Sequence, residues 1–162
     1  MSHESSRRGM TLVEVLVACA ITAVLIGGLG VAIYSIITVT ERGNAESGAL
    51  QDVQKAAYWI SNDAQMTWTT GLLDGGPAVD NVTLNWSDGD GDSHSSSYWL
   101  SGTKLQRNYD GNVTTAAWYV TSVEFTISGD VLAFRVESTL PGRWQMSRQT
   151  TGNVYLRAKT GG

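Results

Sequence analysis

Arg7-Arg8-Gly9-Met10-Thr11-Leu12-Val13-Glu14-Val15-Leu16-Val17-Ala18 opens the stretch that decides the architecture. The leader, residues 1–9, is short and polar and ends beside two arginines. From Met10 to Val39 the one charge is Glu14, and Val15 to Thr40 carries none. About 25 uncharged residues rising 1.5 Å each make a helix of roughly 37 Å, longer than the ~30 Å hydrocarbon core of a bilayer. Arg7 and Arg8 precede the run and Glu41-Arg42 cancel beyond it. The positive-inside rule therefore expects the leader in the cytoplasm and the rest of the chain outside.

Three ordinary targeting readings fit poorly. A secretory signal peptide has a shorter apolar region ending in a small-residue cleavage site. Leu16-Val17-Ala18-Cys19 has the look of a lipobox, but cleavage there would leave a new N-terminus followed by about twenty apolar residues. Ser6-Arg7-Arg8 could form the core of a twin-arginine signal, yet Glu14 interrupts the apolar region that should follow. None of the three accounts for the acid.

Gly9-Met10-Thr11-Leu12-Val13-Glu14-Val15-Leu16-Val17-Ala18 resembles the processing site of type IV prepilins and secretion-system pseudopilins. In that family a membrane peptidase cuts after a glycine, methylates the new N-terminus, and leaves a glutamate as the fifth residue of the mature chain. The resemblance places cleavage between Gly9 and Met10, methylation on Met10 and the conserved acid at Glu14. Met10 departs from the usual phenylalanine but is similarly large and apolar.

A carboxylate inside a membrane helix costs on the order of 2.5 to 3.5 kcal/mol on insertion scales, so Glu14 calls for a partner. Cleavage after Gly9 would free the amine of Met10 four residues away, one helical turn along and near the positive end of the helix dipole. That amine could pair with Glu14 of its own chain or of a neighbour; the resemblance implies the neighbour, a register device for a filament. Gly27, Gly28 and Gly30 each weaken the helix by up to about 1 kcal/mol relative to alanine. They suit close helix packing in lipid, and the resemblance implies a stretch that can unwind on polymerisation.

Beyond residue 40 the helical period continues. Leu50, Val53, Ala57, Ile60 and Ala64 form one apolar stripe, with Asp52, Lys55, Asn62 and Asp63 off it, so Gly43 to Met66 reads as an amphipathic helix. After Gly71 the pattern changes to alternation and turns. Val82, Leu84 and Trp86 share a strand face, as do Tyr98 and Leu100; Val123, Phe125 and Ile127 lead through Ser128-Gly129-Asp130 to Leu132, Phe134 and Val136, a hairpin. Pro141-Gly142 turns the chain before two further strands, Arg143 to Gln149 and Val154 to Arg157. The expectation is an antiparallel sheet of five to seven strands covered by the helix stripe, an α+β class. A long N-terminal helix on such a sheet is the pilin architecture, and Tyr98 to Arg107 is also similar to the strand pair of larger minor pilins and J-type minor pseudopilins. The domains expected are 1–9 leader, 10–40 transmembrane and polymerisation helix, 41–70 amphipathic continuation and 71–162 headgroup.

A chain of 162 residues with 11 Lys+Arg against 15 Asp+Glu has room for one domain and a membrane segment. It offers no basic face for nucleic acid. Cys19 is the single cysteine, so no intrachain disulfide can form. Asp88-Gly89-Asp90-Gly91-Asp92 has the alternate carboxylates of a calcium loop, though Ser93 and Trp99 stand where an EF-hand needs glycine and an acid. The bland reading is a solvated turn; Asp88, Asp90 and Asp92 remain calcium candidates because some major pseudopilins bind calcium. His94 and His3 form no pair, and no nucleophile, base and orienter constellation stands out, so no enzyme is expected. Trp59, Trp68, Trp118 and Trp144 suit sheet packing or subunit contacts.

Together these readings expect a structural subunit, a minor pilin or pseudopilin of a type IV pilus or type II secretion-like filament. Its implied partners are other pilin subunits, the prepilin peptidase, the assembly platform and membrane lipid. The alternatives are a major pilin or a signal-anchored extracytoplasmic binding domain that never polymerises.

Overall fold

A computed structural model describes residues 11–157. Helix α1 spans Leu12–Met66. By internal contacts the chain forms two compact units, Met1–Glu41 and Arg42–Gly162.

In the first unit α1 is long and apolar enough to cross a membrane, and its most apolar window is wholly exposed. Val, Ile and Leu dominate it. β-Branched residues are indifferent helix formers in water, but in lipid every backbone polar group must be satisfied within the segment, and a helix does this. It passes through Gly27, Gly28 and Gly30 without a break.

Among the described residues the second unit contains the rest of α1 and eight strands. Strands β1 (Thr69–Thr70), β2 (Val82–Ser87), β3 (Ser93–Ser101), β4 (Lys104–Tyr109) and β5 (Asn112–Ala117) form one antiparallel sheet in sequence order. Strands β6 (Val120–Ser128), β7 (Val131–Thr139) and β8 (Ser147–Tyr155) form a second. The fold class is thus α+β, a long N-terminal helix packed on antiparallel sheets, consistent with a pilin fold. The expected single sheet is corrected to two. The ladder breaks after β5, where Tyr119 takes a left-handed φ of 51° and the Trp118 N–H turns to Asp52 of α1 at 3.3 Å. Strand β6 pairs with β7 instead of β5.

The two strands expected at the C-terminal end are one, β8. Gly152 lies inside it, opposite Phe134 on β7, whose ring covers the glycine. The Ser128-Gly129-Asp130 hairpin is present, with Ser128 facing Val131. A further two-residue turn joins β4 to β5: Asp110 and Gly111 have φ of 48° and 90°, the double positive φ that an Asp-Gly hairpin turn favours.

The core is built from Ile60 and Val53 of α1 against Leu84, Tyr98 and Leu105 of the larger sheet and Phe125, Leu132 and Val136 of the smaller. The buried seam of α1 is Ala49, Asp52, Val53, Ala56, Ile60, Asp63 and Ala64. This corrects the expected stripe: Leu50 is 43 % exposed and Ala57 is only partly buried, while Asp52 and Asp63 face inward. Small side chains at Ala49 and Ala56 let the sheets approach that side. Each buried aspartate finds donors there, which is the condition for burying a charge.

Candidate functional site

Glu14 stands in the first turn of α1. Its Oε2 accepts the Thr11 N–H at 3.0 Å and the Thr11 hydroxyl at 3.2 Å, and the Thr11 Oγ1 accepts the Glu14 N–H at 3.3 Å. This is a capping box, in which Thr and the Glu three residues later satisfy each other's orphan donors. Sequence reading sought a cation for Glu14 and missed this local partner, although Thr-x-x-Glu is visible in the chain. The carboxylate is therefore held at the start of the helix, on the positive end of its dipole. The expected processing positions, Gly9 and Met10, lie outside the described residues. Cys19 is exposed on the same apolar segment.

A Cβ at Gly27, Gly28 or Gly30 would meet nothing within 4 Å. These glycines leave a stretch of α1 without side-chain bulk, the surface that allows close approach of another helix in lipid.

In the second unit Asp88, Asp90 and Asp92 remain together on the β2–β3 loop, but Asp88 Oδ1 accepts the backbone N–H of Asp90 at 3.0 Å and of Asp92 at 2.9 Å. Asp88 closes the turn. Its other oxygen faces His94 Nε2 at 3.4 Å, while His94 Nδ1 meets Asp110 Oδ2 at 2.6 Å. Asp110, unremarked in the sequence, also accepts the Ser95 N–H at 2.7 Å. Hydrogen bonding to Asp110, then to Asp88, raises the His94 pKa; the same bond from His94 lowers that of Asp110, and the Asp92 N–H is the main cause holding Asp88 low. The imidazole also stacks near Trp86 and Tyr109. Among the described residues no group of three or more His, Cys, Asp or Glu is arranged to hold a metal ion. The two carboxylates grip opposite nitrogens of one ring and so point at His94 instead of a common centre.

The most buried polar cluster is one the sequence did not suggest. Asp63, fully buried, accepts from the Ser96 hydroxyl and the Tyr98 hydroxyl, each at 2.5 Å, and from Arg107. Burial and then the Asp63 charge push the Tyr98 pKa upward. The Arg107 guanidinium lies between Trp59 and Tyr109, 4.8 and 4.7 Å from their ring centres. Trp59 is thus tied to the helix-to-sheet joint, Trp68 and Trp144 are half-buried, and Trp118 is exposed with Lys104 4.3 Å over its ring.

Residues 5–30 match the family model described as the prokaryotic N-terminal methylation motif. Comparison with curated proteins and with solved structures finds no match. The motif covers the end of the leader and about two thirds of the apolar segment, and it supports a type IV pilin-like protein.

Proposed function

We propose that the chain is a minor pilin or pseudopilin, a structural subunit of a type IV pilus or type II secretion-like filament. A prepilin peptidase cuts between Gly9 and Met10 and methylates the Met10 amine. The subunit waits in the cytoplasmic membrane with its N-terminus inside and its headgroup outside, then enters the filament through the assembly platform. Glu14 sets register against the Met10 amine of a neighbouring subunit, and Gly27, Gly28 and Gly30 give the helix room to adapt.

The observation that carries this reading is the methylation motif at residues 5–30 running directly into an exposed apolar helix. A signal anchor needs the apolar length alone. A glycine junction, an acid five residues later and a basic leader in one place are what a prepilin substrate adds.

Mass spectrometry of the membrane-extracted protein tests it. A chain beginning at N-methylated Met10 is expected. An intact chain beginning at Met1 would instead mark a signal-anchored domain that never polymerises.

A further inference from the structure

The sequence holds three Asn-x-Ser/Thr triplets, Asn81-Val82-Thr83, Asn85-Trp86-Ser87 and Asn112-Val113-Thr114. Such a triplet is the acceptor for an N-linked oligosaccharide, whose transferase must reach the asparagine amide and read the hydroxyl two residues on. The fold treats the three differently. Asn85 is half-buried in the middle of β2, with Thr69 of β1 opposite on one side and Ser95 of β3 on the other. Asn81 is exposed, but its Nδ2 donates to Asp80 Oδ1 at 2.9 Å. The next two residues enter β2, where Val82 is buried and the Thr83 carbonyl accepts the Gly71 N–H.

Asn112 stands at the tip of the β4–β5 hairpin and opens β5, the strand at one edge of the larger sheet, which pairs with β4 alone. Gly111, Asn112, Val113 and Thr114 are all exposed, and the Asn112 amide makes no hydrogen bond to the described residues. The Thr114 hydroxyl makes one long contact, 3.5 Å to the Arg107 carbonyl. An acid also precedes this asparagine by two positions, in Asp110-Gly111-Asn112-Val113-Thr114, whereas Val79 and Thr83 stand at the corresponding places before Asn81 and Asn85. A carboxylate there gives a transferase a further handle, a charge for one of its cationic side chains. In the closed hairpin Asp110 is held by His94 and the Ser95 N–H, so transfer uses the hairpin with its tip open. Such opening is local, because β5 is bonded on one side and its register with β4 shifts between Leu105 and Gln106.

We propose that Asn112 is the acceptor for an N-linked oligosaccharide, delivered from a polyprenyl-pyrophosphate donor by a membrane oligosaccharyltransferase. Asn112 Nδ2 forms a bond to C1 of the first sugar and gives up one proton, the bond from C1 to the pyrophosphate oxygen breaks, and the polyprenyl pyrophosphate leaves. The amide stays neutral and nothing is oxidised or reduced. A glycan at this tip covers Val113, which is 54 % exposed, and denies the open edge of β5 to a strand of another chain. Transfer at this site rests on the reading of the headgroup as extracytoplasmic.

The full chain, purified from the membranes of the cells that make it, is digested with trypsin, which places Asn112 in peptide 108–135 and Asn81 and Asn85 together in peptide 56–104. Tandem mass spectrometry should find sugar on peptide 108–135, sited on Asn112, and none on peptide 56–104. Asn112→Gln and Thr114→Val should each lose the added mass, Thr114→Ser should retain it because it keeps the hydroxyl, and Asp110→Asn should lower the occupied fraction. Protease added to spheroplasts reports on which side of the membrane the headgroup lies. An accessible headgroup whose peptide 108–135 is unmodified, or sugar that persists in Asn112→Gln, overturns the glycosylation and leaves the topology standing. A headgroup protected from the protease overturns both.

Discussion

Arg107 grips Asp63 with two nitrogens, Nε 2.7 Å from Oδ2 and Nη2 2.8 Å from Oδ1, and so fastens the second half of α1 to β4. Asp63 is fully buried and the Arg107 side chain is 13 % exposed. A bidentate pair of this kind fixes direction as well as distance. Its position among Ser96, Tyr98, Trp59 and Tyr109 makes it the polar centre of the headgroup.

Removing one member of a buried pair leaves the other charge uncompensated, which typically costs about 3 to 5 kcal/mol. Arg107→Met should therefore destabilise the headgroup by roughly 3 kcal/mol, seen as a lower midpoint in thermal or urea unfolding followed by tryptophan fluorescence. Arg107→Lys keeps the charge but loses the fork and one of the two bonds. It should recover only part of the loss; full recovery would reduce the pair to simple charge neutralisation.

The acid–imidazole–acid arrangement of Asp88, His94 and Asp110 gives a pH dependence. His94 has its pKa raised above the ordinary 6.5 by hydrogen bonds to Asp110 and Asp88. A raised folded-state value means that the fold favours the protonated ring. Its contribution to stability is fully present below the unfolded value and is lost as pH rises through the folded one. Asp110 and Asp88 have lowered values, so their contribution is present above the ordinary 3.8 and fades as pH falls through the folded values. NMR titration of the His94 ring should give a value above 6.5 in the wild type and one shifted back toward 6.5 in Asp110→Asn. An unchanged titration in the variant would remove Asp110 as the cause.

Gly152 illustrates a position where the missing side chain is itself the structural requirement. An added Cβ would overlap the Phe134 ring, which contributes to the core from β7. Forcing a ring out of a packed site commonly costs about 1 to 3 kcal/mol. Gly152→Ala should lower the unfolding midpoint accordingly, whereas Gly48→Ala, which meets only the movable end of the Leu140 side chain, should lower it less.

Much of the fold was legible because it is written in short-range signals. The Ser128-Gly129-Asp130 hairpin, the faces of Val82, Leu84 and Trp86, and the long apolar run need only neighbours a few residues apart. The two sheets were not, because the break depends on Tyr119 and on a bond from Trp118 back to Asp52. The period of the helix places Asp63 off the apolar stripe, and its burial depends on partners far along the chain: Ser96, Tyr98 and Arg107 lie 33, 35 and 44 residues away. Asp110-Gly111 and the Thr11–Glu14 capping box are also short-range signals, a two-residue turn with both φ positive and a Thr-x-x-Glu pair at a helix start.

That capping box sharpens the test of Glu14. If the acid mattered only as a cap, Glu14→Gln would preserve its role, since glutamine serves at the third helical position of a capping box. If it pairs with a methylated amine of a neighbouring subunit, glutamine loses the charge and assembly fails although the helix start survives. Glu14→Gln and Glu14→Leu are therefore both expected in the membrane fraction, processed at Gly9, and depleted from sheared filaments. Thr11→Val removes the hydroxyl from the box but keeps both the Thr11-position N–H and the Glu14 charge, so it should assemble. Immunoblots of membrane and sheared fractions, normalised to wild type, decide between cap and charge: filament entry by Glu14→Gln at the wild-type level would leave Glu14 a cap and nothing more.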